Sequence, residues 1–458
     1  MKIKKQIIRS VTAFLLIITG LLQTATAQEA LSSPYSRYGI GNTNVFSNAF
    51  SSSIGGVGYA LSRNNIVNFK NPASYCGVDT MSFVFDVGFH ADFLTMSSSK
   101  TQVSGMMGAL SHIAFAFPVT SHLKMAAGLV PLSDIDYEAS EVVQVSDTTF
   151  YRKQYDGYGG LNKVLLGAAY DFAFSKQKDN LSLGLNVEYL FGRYTKRSAL
   201  IFNDNTDTLF NSTDTSIHRY TVDSSLYNSR DGVIYDIKSF NFNIGLQYFH
   251  TFNNGDRFGI GGSYVLPLSL NTNNTRQFYT FVSSNGVEST RDIVMDSSYS
   301  GKITFPQSFG LGLSYEKPKK FFIGADAQFT QWSQFRLQSE DAADPLLDSW
   351  NIGFGSEITP DIYGNYFAQM TYRIGLNYDE GYMSFDNDRI STQGTRIKQY
   401  SVALGLGFPV RKSSTLINLS FEYGIKGTTA NNLIRENFFR IGLSLSAKDR
   451  WFFKRKYQ

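Results

Sequence analysis

The sequence predicts an all-β protein, a 14-stranded antiparallel up-and-down transmembrane β-barrel with an N-terminal plug. Three observations predict it. Apolar and polar residues alternate with a period of two along most of the chain beyond residue 80. Many alternating runs last about 12 to 18 residues, longer than soluble strands usually are and long enough for tilted strands to cross hydrocarbon. The connections between runs alternate short and long, as a meander gives when one rim carries turns and the other carries loops.

Composition excludes other classes. The chain has 458 residues, 15% of them aromatic and only 17% charged, which argues against disorder. A single cysteine, Cys76, excludes a disulfide framework and a cysteine-built metal centre. Beyond residue 27 no apolar run approaches the roughly 18 residues of a membrane-spanning helix.

Residues 1–27 read as a secretory signal peptide. Lys2, Lys4, Lys5 and Arg9 precede the apolar stretch Val11 to Leu22, and Ala25-Thr26-Ala27 is a small-residue cleavage site. The formal charge of +4 then falls to +4 − 4 = 0 for the mature chain. With no net positive charge and no basic–aromatic patch, no nucleic-acid partner is expected. The basic cluster Lys448, Arg450, Lys454, Arg455 and Lys456 reads as a solvated terminus.

Residues 28–78 break the alternation. They are rich in Ser, Asn and Gly, yet carry Ile40, Phe50, Ile54, Val57, Tyr59, Val67 and Phe69. That mixture suits a segment folded inside the barrel, so 28–78 is expected to be the plug and 79–458 the barrel. Cys76 is expected to pack there as an inert thiol.

The strands follow in order near 81–95, 107–119, 122–138, 161–174, 180–197, 234–253, 256–270, 301–315, 320–333, 349–358, 367–379, 397–408, 413–426 and 438–449. In the first, Met81, Phe83, Phe85, Val87, Phe89, Ala91 and Phe93 face one way. Ser82, Val84, Asp86, Gly88, His90 and Asp92 face the other. The last has Phe439, Ile441, Leu443 and Leu445 against Arg440, Gly442, Ser444 and Ser446. Asn254-Gly255 is a tight hairpin signal. The longest connections are 198–233 and 271–300, with 139–160 also long. Such alternation also fits a soluble sandwich. Strand length and polar faces of Asn, Ser, Gly, Asp and Glu favour a watery lumen, and Gly88, Gly184, Gly245 and Gly442 leave room within it.

No catalytic motif is present, neither G-x-S-x-G nor H-E-x-x-H, and the chain reads as non-enzymatic. Asp86, His90 and Asp92 share one face and, with Asp326, are expected to line the lumen. The run Asn203 to Asp207 lacks the Gly and distal Glu of a calcium loop. No metal or cofactor is expected. Asn71-Pro72 is a turn signal leading into the first strand.

Gly55-Gly56-Val57-Gly58-Tyr59-Ala60, followed by Asn68-Phe69-Lys70-Asn71-Pro72-Ala73, resembles the N-terminal region of the FadL/TodX family of outer-membrane transport proteins. The stretches Phe305 to Tyr315 and Ala325 to Trp332 resemble that family's proline-led strand and the strand after it. Ser33 to Gly39 and Asp449 to Lys456 look like members of its Bacteroidota branch, which includes PorV-like barrels. The resemblance implies a barrel in the outer membrane of a Gram-negative bacterium, in contact with its lipid. It implies passive uptake of a hydrophobic small molecule, with Phe69, Asn71, Pro72 and Ala73 in the plug and its gate. The alternative it carries is a PorV-like partner barrel in protein secretion or outer-membrane assembly, bound to an envelope protein. The long loops leave room for either role.

Overall fold

The computed structural model describes residues 33–43, 48–144, 150–174, 178–202, 227–284, 287–337, 345–386, 389–410 and 413–450. The expected signal peptide 1–27, the run 203–207 and the end of the basic tail lie outside them.

Fourteen antiparallel strands close into a barrel. They are β1 (Ser82–Ser97), β2 (Gln102–Pro118), β3 (Leu123–Gln144), β4 (Phe150–Phe174), β5 (Asp179–Ile201) and β6 (Asn228–Thr251). Next come β7 (Arg257–Val265, continuing as Leu268–Ser284) and β8 (Val287–Phe305, continuing as Ser308–Lys317). The set ends with β9 (Phe321–Thr330), β10 (Ser349–Ile358), β11 (Thr371–Asp379), β12 (Gln399–Pro409), β13 (Leu416–Gly427) and β14 (Arg435–Arg450). Each pairs with its sequence neighbours. Closure comes from β1 against β14, in register from Ser82↔Arg450 to Ser97↔Arg435. Closure satisfies the edge N–H and C=O groups, which lipid cannot do.

Period-two alternation decides which way each side chain points. Along Ser308–Lys317 burial alternates at every residue. Ser314 and Glu316 point inward, while Phe309, Leu311 and Leu313 point out. Leu311 is 67% exposed, and Phe240, Ile352, Ile374 and Leu404 continue an apolar outer band. Buried Asn186, Glu188, Gln247, Asn418 and Ser420 line the inner face. A soluble sandwich would bury the apolar face instead.

The expected strands are all present, but several run further than expected. Residues 139–144 and 150–160 belong to β3 and β4 rather than to a loop. The expected 271–300 loop is largely a continuous ladder, from Asn271↔Lys302 to Ser284↔Val287. Asn271-Thr272-Asn273-Asn274-Thr275 and Asp296-Ser297-Ser298 are polar on both faces, while Phe278-Tyr279-Thr280-Phe281-Val282 and Ile293-Val294-Met295 are apolar runs with no clean alternation. Such a strand keeps its hydrogen bonds but lacks the single apolar face that makes alternation visible. Two other boundaries differ. The first connection is only 98–101. The expected start of the eleventh strand at 367 falls in a short helix, Tyr366–Gln369, capped by the Asn365 side chain.

The N-terminal segment lies against the inner wall. Phe50, Ile54, Val57, Leu61 and Ile66 pack with Phe322 of β9. Val67, Phe69, Tyr75 and Val78 pack with Val84, Ala114, Ala126 and Leu165 of β1 to β4, with Cys76 at the edge. Fully burying an aliphatic or aromatic side chain contributes about 1.5–3 kcal/mol. Toward the long-loop rim, Tyr35 and Ile40 join Tyr194, Tyr235, Trp332 and Tyr382 in the largest cluster.

Candidate functional site

The Asn-Pro-Ala turn is a joint between segment and wall. Asn71 is wholly buried. Its Oδ1 accepts from Ala73 N at 3.0 Å and so caps the 3-10 helix Pro72–Gly77, with Pro72 at the first helical position. Its Nδ2 donates to Tyr59 O at 2.8 Å, and to Leu246 O and Gly262 O on β6 and β7, each at 3.1 Å. This approach needs bare backbone opposite. A Cβ on Gly245 would overlap the Asn71 carboxamide, and one on Gly184 would overlap Pro72 and Ala73 N. Gly88 and Gly442 face inward too, toward His112 and toward Ala49 of the segment.

Asp326, on β9, is the second joint. Its Oδ2 accepts from Gly58 N at 2.7 Å and Tyr59 N at 3.0 Å, and lies 3.2 Å from Lys70 Nζ. Consecutive N–H groups turned on one carboxylate form an anion-binding concavity. Lys70 is held further by Gly56 O at 2.7 Å and by the face of Tyr59. Among the described residues every partner of Asp326 comes from the segment.

A third joint is a chain of charges near the short-turn rim. Arg63 of the segment reaches Glu316 at 2.6 Å and Glu357 at 3.2 Å. Glu316 also pairs with Arg257 at 2.8 Å, and Glu357 with Arg373 at 2.8 Å. Arg373 Nη1 donates to Asn418 Oδ1 at 3.0 Å, and its guanidinium lies over the Phe50 ring.

The expected trio of Asp86, His90 and Asp92 shares a face but not a site. Asp86 is fully buried, 3.1 Å from His112 Nε2, and accepts from Ser446 Oγ at 3.1 Å. Phe69 meets the His112 ring edge-on. Asp92 takes a two-pronged bond from Arg440, 2.7 Å on each arm. His90 sits between them beside Asn48, Ala49 and Ser52 of the segment. Each goes to a different partner because strand register places different residues opposite; Arg440 is directly across from Asp92. Among the described residues no group of three metal-ligating side chains gathers.

A cavity of about 390 Å³ lies between the segment and the long-loop rim. Ile40, Asn42 and Thr43 of the segment contribute to it, and Trp332 and Tyr382, stacked at 4.2 Å, cover part of it. Its wall is mixed. Leu94, Met107, Leu132 and Phe305 supply apolar surface, while Asp92, Asp134, Lys426 and Arg440 supply charge.

Beside this cavity the wall opens. The β2–β3 ladder runs only from Ile113↔Leu129 to Pro118↔Lys124. Above it β2 pairs with β1 alone among the described residues. β3 there meets the segment instead, at Asn42↔Asp134 and Thr43↔Ser133. Both flanking strands carry a bulge at this level. Ser111 is the extra residue of β2, and Leu132 of β3, next to Pro131, which has no N–H to donate. Met107 and Leu132, on opposite sides of the gap, both line the cavity.

Phe69, Asn71, Pro72 and Ala73 are buried in the N-terminal segment, and Asp86, His90, Asp92 and Asp326 lie in the strand phase opposite the exposed apolar residues. Sequence reasoning missed Arg63 and its partners, although Glu316, Glu357 and Arg373 occupy inward positions of their strands. It also missed the gap, for which Pro131 within an alternating run was the signal.

No curated protein matches the chain. Among solved structures, a Pseudomonas aeruginosa FadL homologue is similar at 12% identity and a TM-score of 0.52, covering 91% of this chain and 100% of that one. The Pseudomonas putida toluene transporter TodX matches at 14% identity and a TM-score of 0.52, over 89% of this chain and 99% of that one. The Ralstonia pickettii toluene transporter TbuX matches at 15% and 0.51, over 88% and 98%. At these identities the likeness carries the fold. The BamG family model matches residues 3–458, nearly the whole chain. The protein therefore belongs to the BamG family.

Proposed function

We propose that the protein is a non-enzymatic up-and-down barrel of a Gram-negative outer membrane, delivered there by the signal peptide 1–27, that takes up hydrophobic small molecules passively. The observation that carries this reading is the cavity of about 390 Å³ placed between a gap in the wall and the N-terminal segment. In this reading residues 28–78 are a plug, with Phe69, Asn71, Pro72 and Ala73 at its seat. A ligand enters at the gap or the long-loop rim, rests against Met107, Leu132 and Trp332, and passes when the plug shifts. TodX and TbuX, which share the fold, are toluene transporters. The test is native mass spectrometry after extraction in a mild detergent. A hydrophobic compound should copurify with the intact protein and be lost when Met107→Trp and Leu132→Trp fill the cavity mouth in a barrel that still shows a heat-modifiable gel shift. An empty cavity in the unaltered protein refutes it.

A second reading, binding of an envelope protein, is favoured by one observation. Beyond Gly301 the outer edge of β8, Val287 to Gly301, pairs with no strand among the described residues on the side away from β7. Such an edge can accept an extended chain. A stoichiometric protein partner that copurifies, and that Ser297→Pro releases, would support it.

A further inference from the structure

On the short-turn rim one connection differs from the rest. Residues 359–370, between β10 and β11, make its longest turn and present four apolar side chains outward. Tyr363 is 88% exposed and Phe367 70%, with Ile362 and Tyr366 beside them. The turn is firmly built. Asp361 Oδ1 accepts from Tyr363 N at 2.9 Å, Asp361 N donates to Ala368 O at 3.0 Å, and Gln369 Nε2 donates to Gly364 O at 2.8 Å. Asn365 caps the helical turn through Ala368 N at 3.0 Å. A preorganised turn that holds two aromatic rings in water has no folding reason to do so.

Its position says what covers it. Tyr372 lies in the outward phase of β11 with Ile374 and Leu376, while Arg373 points inward. The Tyr372 hydroxyl donates to Phe367 O at 3.0 Å, so the turn leans on the outer face of the wall rather than across its mouth. There it continues the apolar band through Ile358 and Ile374. Residues 359–370 carry a single charge, Asp361, which is turned back onto its own turn. We infer that Ile362, Tyr363, Tyr366 and Phe367 form an interfacial anchor, seated among the headgroups and upper acyl chains of the leaflet at the short-turn rim. Aromatic rings settle at that depth because they have an apolar body and, in tyrosine, a polar tip. The anchor fixes how deep the barrel rides on the β9–β11 side. It rests on the proposed membrane location but not on uptake.

The test uses the full chain in vesicles of phosphatidylethanolamine and phosphatidylglycerol, with Cys76→Ser in every variant. An environment-sensitive fluorophore is attached at Tyr363→Cys, with Leu311→Cys as a lipid-facing control and Lys100→Cys as a water-facing one. Lipids bearing a nitroxide near the headgroup should quench the 363 probe, and aqueous iodide should quench it at least about threefold less than the 100 probe. Three outcomes overturn the inference. In one, iodide quenches 363 as it does 100. In another, neither quencher reaches 363, which means protein covers it. In the third, nitroxide lipids fail at 311 as well, and the membrane location falls too. Where 311 is quenched and 363 is not, only the anchor fails.

Discussion

Replacing Asp326 with Asn tests whether the N-terminal segment is held as the structure indicates. The carboxylate, only 2% exposed, accepts two backbone N–H groups and faces Lys70, whose side chain is 17% exposed, all within 3.2 Å. Removing one partner of a buried ion pair costs about 3–5 kcal/mol, because the other charge is stranded. Here Gly56 O and the Tyr59 ring still hold Lys70, so the lower end applies. A loss of about 3 kcal/mol raises the detached population roughly 150-fold. The readout is alkylation of Cys76, which lies in the same segment, together with single-channel conductance in planar bilayers. Both should rise in Asp326→Asn while the barrel keeps its heat-modifiable migration. Lys70→Met added to Asp326→Asn should recover part of the loss, since no charge is then left unpaired. If the single variant alkylates and conducts like the unaltered protein, Asp326 does not hold the segment.

Deleting residues 33–72, with residues 1–32 kept, should leave an inserted barrel of higher conductance; an unchanged conductance shows that the segment does not close the lumen. Gly245→Ala drives a methyl group into the Asn71 carboxamide and should speed hydrogen exchange at Asn71 to Gly77, while an unchanged pattern refutes the close packing. Burial pushes the Cys76 thiol up to about 11. At pH 8 only about one thiol in 1,000 is then ionised, so iodoacetamide should react far more slowly than with a cysteine at Lys100→Cys. Comparable rates would show Cys76 to be solvated.

What could be read in the sequence divides along a physical line. Where a strand turns an apolar face outward and a polar face inward it must alternate, and β1, β6, β13 and β14 were readable for that reason. Where polar and apolar residues do not alternate the period is hidden, so the 271–300 ladder looked like a loop although most of its described residues pair. The segment was readable as a buried unit from its spaced apolar residues and its Asn-Pro-Ala turn. Its contacts were not, because Asp326 meets Gly58 and Tyr59 across more than 260 residues of chain. Shared phase told that Asp86, His90 and Asp92 point inward, but partner choice depends on register between strands far apart in sequence.

The joints differ in what they leave behind when the segment moves. Take Arg63 away and Glu316 still has Arg257, while Glu357 still has Arg373. The wall keeps two paired carboxylates, so this joint releases without exposing a bare buried charge. Among the described residues Asp326 has no such reserve, since Gly58, Tyr59 and Lys70 all leave together. The cost of opening is therefore concentrated on β9, and the two joints should respond unequally to mutation. Arg63→Met removes one cation and strands no carboxylate. It should raise Cys76 alkylation by at least tenfold less than Asp326→Asn does, a difference of about 1.4 kcal/mol or more. Equal effects would mean that the wall carboxylates depend on Arg63 after all, and that the segment is locked at both ends rather than at Asp326.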